Sequence, residues 1–288
     1  MLFAMLKRLR TYASFVRFSH SVFALPFALT GALLAARGTA VTLTRVGWIV
    51  AAMVSARTAA MGFNRLVDAR FDALNPRTAA RELPRGALSR AEALTLVVAS
   101  SLVFVAVCAP LGRLCLALSP VALVIIFWYS LAKRYTSYTQ FFLGLAMAVA
   151  PVGGWLAAGG RAGWEPWLLG LAIGAWVGGF DILYACQDVE FDRTQGLRSI
   201  PARFGIATAL LISRALHLVT VAALAALAGV VPLGPLYLGG VGGVAALLAY
   251  EQSLVRADDL SRVKQAFALN GYVGIFYLIV TALAVYVG

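Results

Sequence analysis

The segments NRLVDARFD (residues 64–72) and DILYACQDVEFD (residues 181–192) each stand at the end of a long apolar run. Together they contain six of the twelve acidic residues of the chain. A carboxylate at bilayer depth costs about 2.5 to 3.5 kcal/mol on insertion scales, and intramembrane acids therefore mark functional sites by default. The two segments predict one acidic site at the end of a bundle of membrane helices.

The composition agrees with a membrane protein. The chain has 288 residues, of which 61% are hydrophobic and 12% charged, whereas soluble domains carry about a quarter charged residues. Apolar runs long enough to span a bilayer number nine, so the predicted fold class is all-α and polytopic. These runs cover residues 21–36, 46–63, 91–109, 114–129, 141–158, 167–187, 207–230, 233–250 and 268–287.

The basic residues predict the orientation. Alternate connections hold 18 Lys and Arg residues on one side and four on the other. By the positive-inside rule, the N-terminus and both acidic segments are cytoplasmic and the C-terminus lies outside. The net charge of +12 then fits anionic lipid headgroups, and we expect no nucleic-acid partner. We expect an integral protein of the cytoplasmic membrane of a prokaryote.

The chain is predicted to form a single domain, residues 1–288, because no linker divides it. Residues 1–18 mix apolar and basic side chains, which is typical of an amphipathic helix lying at the membrane interface. Cys108, Cys115 and Cys186 lie in apolar surroundings without zinc or disulfide spacing. They are therefore interpreted as small hydrophobic residues.

In both acidic segments, oxygen-bearing side chains recur every four residues, from Asn64 and from Tyr184, a drift of about 40° per step that keeps them on one helix face. Asp181 lies seven residues before Asp188, about 20° away, and joins the second row. Two such rows suit a hard cation, most naturally Mg²⁺, which takes one or two carboxylates together with substrate phosphates. The sequence therefore predicts Mg²⁺ and a diphosphate between the rows. The rows are Asn64, Asp68 and Asp72 in the first segment and Asp181, Tyr184, Asp188 and Asp192 in the second.

Cationic side chains suited to the diphosphate lie near both rows. Arginine binds phosphate through two parallel hydrogen bonds and lysine acts as a point charge. From this pool we select Arg65, Lys133, Arg134 and Arg198 as diphosphate ligands. Most of the other loop arginines are expected to serve topology only; the remaining members of the pool are Arg70, Arg77, Arg81, Arg85, Arg193 and Arg203.

These motifs resemble those of the UbiA-type membrane prenyltransferases, N-x-x-x-D-x-x-x-D and D-x-x-Y-A-x-x-D-x-x-x-D. The similarity extends to NPRTAARELPRG (75–86), YSLAKRYT (129–136) and GLRSIPARFG (196–205). It implies nine transmembrane helices around a central chamber, and transfer of a polyprenyl group from an isoprenyl diphosphate to an aromatic ring. It also implies metal binding by Asn64, Asp68, Asp72, Asp188 and Asp192.

The resemblance further implies that Asp181 and Tyr184 orient the acceptor or the leaving group as catalytic residues. Arg17 and His20 are the predicted ligands of an acceptor carboxylate. Their segment, RFSHSVFALPFA (17–28), departs from the R-x-D-x-P form of 4-hydroxybenzoate enzymes. It is similar to relatives of the futalosine route to menaquinone, so the acceptor is left open between 4-hydroxybenzoate and dihydroxynaphthoate types in quinone biosynthesis.

Two other classes of membrane protein were weighed. An ion-coupled transporter also uses intramembrane acids, but it places them near the midplane in broken helices. A CDP-alcohol phosphotransferase also uses Mg²⁺, but the D-G-x-x-A-R sequence of that class does not occur in this chain. Besides its two substrates, the enzyme is expected to contact membrane lipid and to need no obligatory protein partner.

Overall fold

The computed structural model describes residues 2–16, 24–37, 39 and 41–287. These residues form α-helices joined by short connections, and no strand occurs among them. The all-α fold class is confirmed. The helices are α1 (Leu2–Phe15), α2 (Leu25–Ala35), α3 (Leu43–Leu74), α4 (Arg90–Cys108), α5 (Arg113–Ala132), α6 (Thr139–Ala157), α7 (Glu165–Ala185), α8 (Val189–Thr194), α9 (Ile200–Phe204), α10 (Ile206–Val230), α11 (Gly234–Ser253) and α12 (Val263–Tyr286).

Every predicted apolar run falls on one of these helices, but the count of nine spans is not confirmed. Within the described ranges, seven helices are both long and apolar enough to cross a bilayer. The described part of α2 has only 11 residues. The 20-residue helix α11 is not among the seven, and it carries the buried acid Glu251 at its end.

Helix α3 is long enough to bring the first acidic segment out of the hydrocarbon layer. It starts after Thr42, whose side chain accepts a hydrogen bond from the backbone of Arg45, and has 32 residues. At 1.5 Å per residue the helix is ~48 Å long, against a hydrocarbon core of about 30 Å. Asn64 lies ~32 Å along it. The helix is therefore long enough to cross the hydrocarbon layer before the segment 64–72 begins.

Glycine residues bring the central helices into close contact. A side chain at Gly144 in α6 would collide with the carbonyl oxygen of Gly174 in α7, and one at Gly154 would collide with that of Ala28 in α2. Small residues allow such backbone approach in membranes, where apolar burial between helices brings no hydrophobic gain. Helix α6 is thereby packed directly between α2 and α7.

The four-residue spacing of the second acidic segment predicts a continuous helix, but helix α7 ends within that segment. The α-helix ends at Ala185, a 3-10 turn follows at Cys186–Asp188, and α8 then begins at Val189. The tighter turn rotates the chain relative to an α-helix. Asp188 and Asp192 therefore reach the site from a broken helix.

The end of α1 packs on the protein. Phe15 and Val16 are buried in a cluster with Leu88 and Ala93, at the start of α4. Ser14 donates a hydrogen bond to Glu82 in the connection between α3 and α4. Contact of the rest of this segment with a membrane surface stays a prediction.

Candidate active site

Both acidic segments line one cavity of about 250 Å³. Its walls come from the end of α3, the start of the 75–89 connection, α5, α6, the end of α7 and the 186–199 segment. The structure thus brings together two segments more than 100 residues apart in the chain. The predicted site residues on its wall are Asn64, Asp68, Asp72, Lys133, Asp181, Tyr184, Asp188, Asp192 and Arg198.

Asp68 lies at the centre of the first row. Its side chain is only 4% exposed and forms ion pairs with Lys133 Nζ at 2.6 Å and Arg134 Nη2 at 3.2 Å. Asn64 Nδ2 donates to Asp68 Oδ2 at 3.4 Å and to Ser130 Oγ at 3.3 Å. Arg134 also donates to the Val67 carbonyl at 2.7 Å, so it supports the helix that carries Asp68.

Two arginines of the first loop, which belong to the cationic pool but were not selected from it, bind the other carboxylates. Arg77 Nη2 lies 2.6 Å from Asp188 Oδ2, and its Nη1 donates to the Tyr184 hydroxyl at 3.1 Å. Arg81 Nη1 lies 2.7 Å from Asp72 Oδ1. Burial works against the Arg77 charge, but hydrogen bonding to Asp188 raises the pKa of the guanidinium above its ordinary value. The connection at 75–89 therefore ties the two rows together.

The segment after α8 closes another side of the cavity. Ser199 Oγ donates to Asp192 Oδ2 at 2.9 Å. Arg198 donates from its backbone to the Lys133 carbonyl at 2.8 Å and from Nη1 to the Tyr135 carbonyl at 2.6 Å. These bonds fasten the second acidic segment to the turn after α5, and they bring Lys133 and Arg198 to the same wall.

The structure does not bring Arg65 or Arg134 to the cavity wall. Arg65 is buried and forms an ion pair with Glu82, Nη1 to Oε2 at 3.5 Å, and Arg134 acts from behind Asp68. Arg17 and His20 lie outside the described residues. Placement at the cavity therefore supports Lys133 and Arg198, with Arg77 and Arg81 added.

On the inner side the wall becomes less charged. Tyr129, Leu143 and the half-buried Asp181 line it, and Arg57 lies within electrostatic range of Tyr129. Arg57 precedes Asn64 by seven residues, which places it about 20° away on the same face of α3 and two turns deeper. Arg57 is not among the site residues predicted from the sequence, because its position inside a span does not by itself indicate a partner.

The oxygen atoms on this wall fit Mg²⁺ by chemistry. They are carboxylates and one amide, the hard ligands that Mg²⁺ takes. Among the described residues no three His, Cys, Asp or Glu side chains converge on one point, because each row is engaged by Lys or Arg. Mg²⁺ commonly binds one or two carboxylates and completes its shell with water and phosphate, so these residues suit a metal that arrives with a diphosphate.

Comparisons with known proteins agree with this geometry. The model of the UbiA prenyltransferase family matches residues 24–280. The 4-hydroxybenzoate octaprenyltransferase of Alkalilimnicola ehrlichii is 33% identical over 246 residues, which cover 85% of this chain and 83% of that protein. The enzyme of the same name from Aeromonas salmonicida is 33% identical over 218 residues, 76% of this chain and 75% of the relative.

Solved structures show the same fold. The apo structure of a UbiA homolog from Aeropyrum pernix K1 is 37% identical, has a TM-score of 0.83 and covers 90% of this chain and 95% of its own. A UbiA homolog from Archaeoglobus fulgidus, solved with DMAPP and Mg²⁺, is 18% identical with a TM-score of 0.74 over 95% of this chain and 99% of its own. The family match replaces the transporter and phosphotransferase alternatives. The chain belongs to the UbiA prenyltransferase family and is a prenyltransferase of the membrane.

Proposed function

We propose that this enzyme transfers a polyprenyl group from an isoprenyl diphosphate to the ring of a small aromatic acid, in an Mg²⁺-dependent reaction of quinone biosynthesis. The observation that carries the proposal is the single cavity at which both aspartate rows meet Lys133, Arg77 and Arg81. Carboxylates and cations interleaved in this way suit a metal-bound diphosphate, which offers oxygens to both.

The two rows would hold the metal. Asn64, Asp68 and Asp72 supply oxygens from one side of the cavity, and Asp188 and Asp192 supply them from the other. Bound Mg²⁺ would supply electrostatic stabilisation of the negative charge on the departing diphosphate. In the structure these carboxylates form ion pairs with cations of the chain itself. The pairs are Lys133–Asp68, Arg81–Asp72 and Arg77–Asp188.

Those cations would then bind the diphosphate. Arg77 and Arg81 lie on a connection rather than on a helix, and Lys133 is the residue that follows α5; each would exchange its carboxylate partner for a phosphate oxygen. Fixed positive groups at the place where charge develops are usually the largest catalytic contribution. Arg198 would complete this set from the second acidic segment, while Arg134 would hold Asp68.

The acceptor would bind on the inner side of the diphosphate. Asp181 and Tyr184 lie between the metal ligands and the interior of the bundle, where they would orient the phenol and hold the proton that it loses. Arg17, His20 and the more deeply placed Arg57 are candidates to bind the acceptor carboxylate. Apolar side chains such as Leu143 and Phe71 would keep water from the allylic cation that forms when the C–O bond breaks.

The name shared by the relatives, 4-hydroxybenzoate octaprenyltransferase, favours 4-hydroxybenzoate as acceptor. The departure at residues 17–28 favours a dihydroxynaphthoate as the second candidate. We place the N-terminus and the active site on the cytoplasmic side of the membrane, as the distribution of Lys and Arg predicts.

Product analysis tests the proposal. Membranes containing the enzyme are incubated with isoprenyl diphosphates of several lengths and either 4-hydroxybenzoate or 1,4-dihydroxynaphthoates, and products are identified by mass. We expect a prenylated acid that requires Mg²⁺ and is lost in Asp68→Ala and Asp188→Ala, with both variants still inserted in the membrane. Prenylation that continues unchanged in either variant would overturn the site assignment. If neither acceptor gives a product, the proposal that the acceptor is an aromatic acid of this kind is wrong.

A further inference from the structure

Two consecutive residues at the end of α11, Glu251 and Gln252, reach α7 through hydrogen-bonded chains, the first buried and the second partly buried. Helices α10, α11 and α12 carry none of the residues assigned to chemistry, whereas α7 carries Asp181 and Tyr184. Polar side chains buried in a membrane bundle are rare and usually serve a function or a specific helix contact. The chains connect the end of the molecule without a motif to the second acidic segment.

The first chain runs through Asn270 of α12, which is fully buried. Its Nδ2 donates to Glu251 Oε1 at 2.7 Å, and its Oδ1 accepts from Trp176 Nε1 at 2.7 Å. Trp176 is 1% exposed and precedes Asp181 by five residues. One amide therefore links three helices, α7, α11 and α12.

The second chain runs through α10. Gln252 Nε2 donates to Ser213 Oγ at 2.7 Å and to His217 Nδ1 at 3.0 Å. Ser213 Oγ in turn donates to the Gly179 carbonyl at 2.7 Å. A side chain at Gly179 would collide with the His217 ring, so α7 is held tightly only two residues before Asp181.

These bonds add to one from α10, where Thr220 Oγ1 donates to the Ala172 carbonyl at 3.2 Å, and they supply what the contact of α7 with α6 lacks. Its face toward α6 is formed by Gly170 and Gly174, and packing of small residues sets how near two helices lie without directional bonds to fix their sliding or rotation. Hydrogen bonds require defined distances and angles. The two chains therefore help to fix the depth and rotation of α7, and they act at its end nearest Asp181.

We infer that Glu251, Gln252 and Asn270 are positioning residues, which set the place of Asp181 and Tyr184 opposite the first aspartate row. The inference rests on the proposed function, because it assumes that Asp181 and Tyr184 act on the substrates. A misplacement of about 1 Å, arising far from the chemistry, can lower a rate by about 100-fold. Loss of either chain should accordingly lower kcat more than it changes the binding of isoprenyl diphosphate.

Glu251 acts in this network as a hydrogen-bond acceptor. No Lys, Arg or His in the described part of the chain forms an ion pair with it. An amide oxygen can accept the Asn270 bond equally well. Glu251→Gln should therefore keep near wild-type kcat, and Glu251→Leu should lose it.

The test compares Asn270→Leu with Tyr237→Phe. The Tyr237 hydroxyl is also buried, at 2.9 Å from the Tyr277 hydroxyl and 3.1 Å from the Leu224 carbonyl, and it joins α11 and α12 to α10 instead of α7. It lies ~21 Å from Glu251 along α11, and its hydrogen bonds within the described residues go to Leu224 and Tyr277 rather than to α7. Tyr237→Phe thus controls for lost buried bonding.

Turnover and Mg²⁺ half-saturation are measured per amount of folded protein in detergent. We expect Asn270→Leu to lower kcat at least about tenfold and to raise the Mg²⁺ half-saturation, with KM for isoprenyl diphosphate nearly unchanged. Tyr237→Phe should leave all three at wild-type values. Trp176→Phe removes the same bond from the α7 side and should reproduce the Asn270→Leu effect if that variant does not fold.

The inference is overturned if Asn270→Leu or Trp176→Phe turns over as Tyr237→Phe does, or if Glu251→Gln loses as much as Glu251→Leu. The proposed function is tested separately in the same assay by the wild type and Asp188→Ala. A wild type that forms prenylated product beside an inactive Asp188→Ala keeps the proposed function, whatever Asn270→Leu shows.

Discussion

Replacing Arg65 with methionine separates a structural from a ligand-binding arginine. Sequence spacing assigns Arg65 to the diphosphate, whereas the structure pairs it with Glu82 at 3.5 Å, with the two side chains 5% and 7% exposed. In Arg65→Met the Glu82 carboxylate stays buried and keeps the hydroxyl of Ser14 as a partner without charge. Arg65→Met should therefore lower stability and spare substrate binding.

The magnitude follows from burial. Removing one partner of a buried ion pair costs about 3 to 5 kcal/mol, because the other charge is left uncompensated. The double variant Arg65→Met, Glu82→Gln should recover most of this loss, since no buried charge remains. Coupling of this size between two residues is expected only when they share one interaction.

Thermal unfolding in detergent and steady-state kinetics on the folded fraction measure the two effects. Arg8→Met is the control, because the Arg8–Glu92 pair is shorter, at 3.0 Å, but the Arg8 side chain is 75% exposed. Solvent screens such pairs, so this variant should unfold at the wild-type temperature. A stable Arg65→Met enzyme with a raised KM for isoprenyl diphosphate would contradict the structural role of Arg65 and show that it binds the substrate.

Three further predictions concern the site and the bundle. Lys133→Met should raise KM for isoprenyl diphosphate by about tenfold to 100-fold, the contribution of one charge-assisted hydrogen bond, while Asp68 stays paired with Arg134. An unchanged KM in steady-state kinetics would exclude a contact between Lys133 and a phosphate. Gly154→Val should destabilise the bundle strongly in thermal unfolding, since a side chain there meets the Ala28 backbone, whereas neighbouring Gly153→Val has open space and should be tolerated. EDTA should abolish product formation, measured by mass, and added Mg²⁺ should restore it. Full activity in EDTA would contradict the requirement for Mg²⁺.

The parts of the fold and site that were predictable are those encoded by local periodicity. The four-residue spacing of Asn64, Asp68 and Asp72 placed them on one face, and all three do line the cavity. Apolar runs located the helices in the same way. Both signals act within a single element, so they are visible without the rest of the fold.

The positions of the cations relative to the cavity depend on tertiary packing and were not predictable. Arg65 lies about 20° from Asp72 around α3, so helical spacing gave no reason to exclude it. The connection at 75–89 determines the partners of these arginines. It brings Glu82 to Arg65, and it places Arg77 beside Asp188 and Arg81 beside Asp72. No periodicity exists in such a segment.

The same limit applies to the break after α7. Asp188 and Asp192 have helical spacing to Tyr184, yet a 3-10 turn at Cys186–Asp188 intervenes. The hydrogen bonds of Asp188 to Arg77 and of Asp192 to Ser199 come from other parts of the chain. These partners accompany the departure from regular helix, and the sequence of α7 alone does not reveal them.

Metal binding measured in the presence of a diphosphate tests the joint use of the two rows most directly. Mn²⁺ replaces Mg²⁺, and its binding is followed by electron paramagnetic resonance with and without a non-reactive thiolo analogue of an isoprenyl diphosphate. We expect the wild type to bind Mn²⁺ tightly only with the analogue, and we expect Asp68→Asn and Asp188→Asn each to abolish this binding. Wild-type Mn²⁺ affinity in either variant would contradict a site shared by both rows.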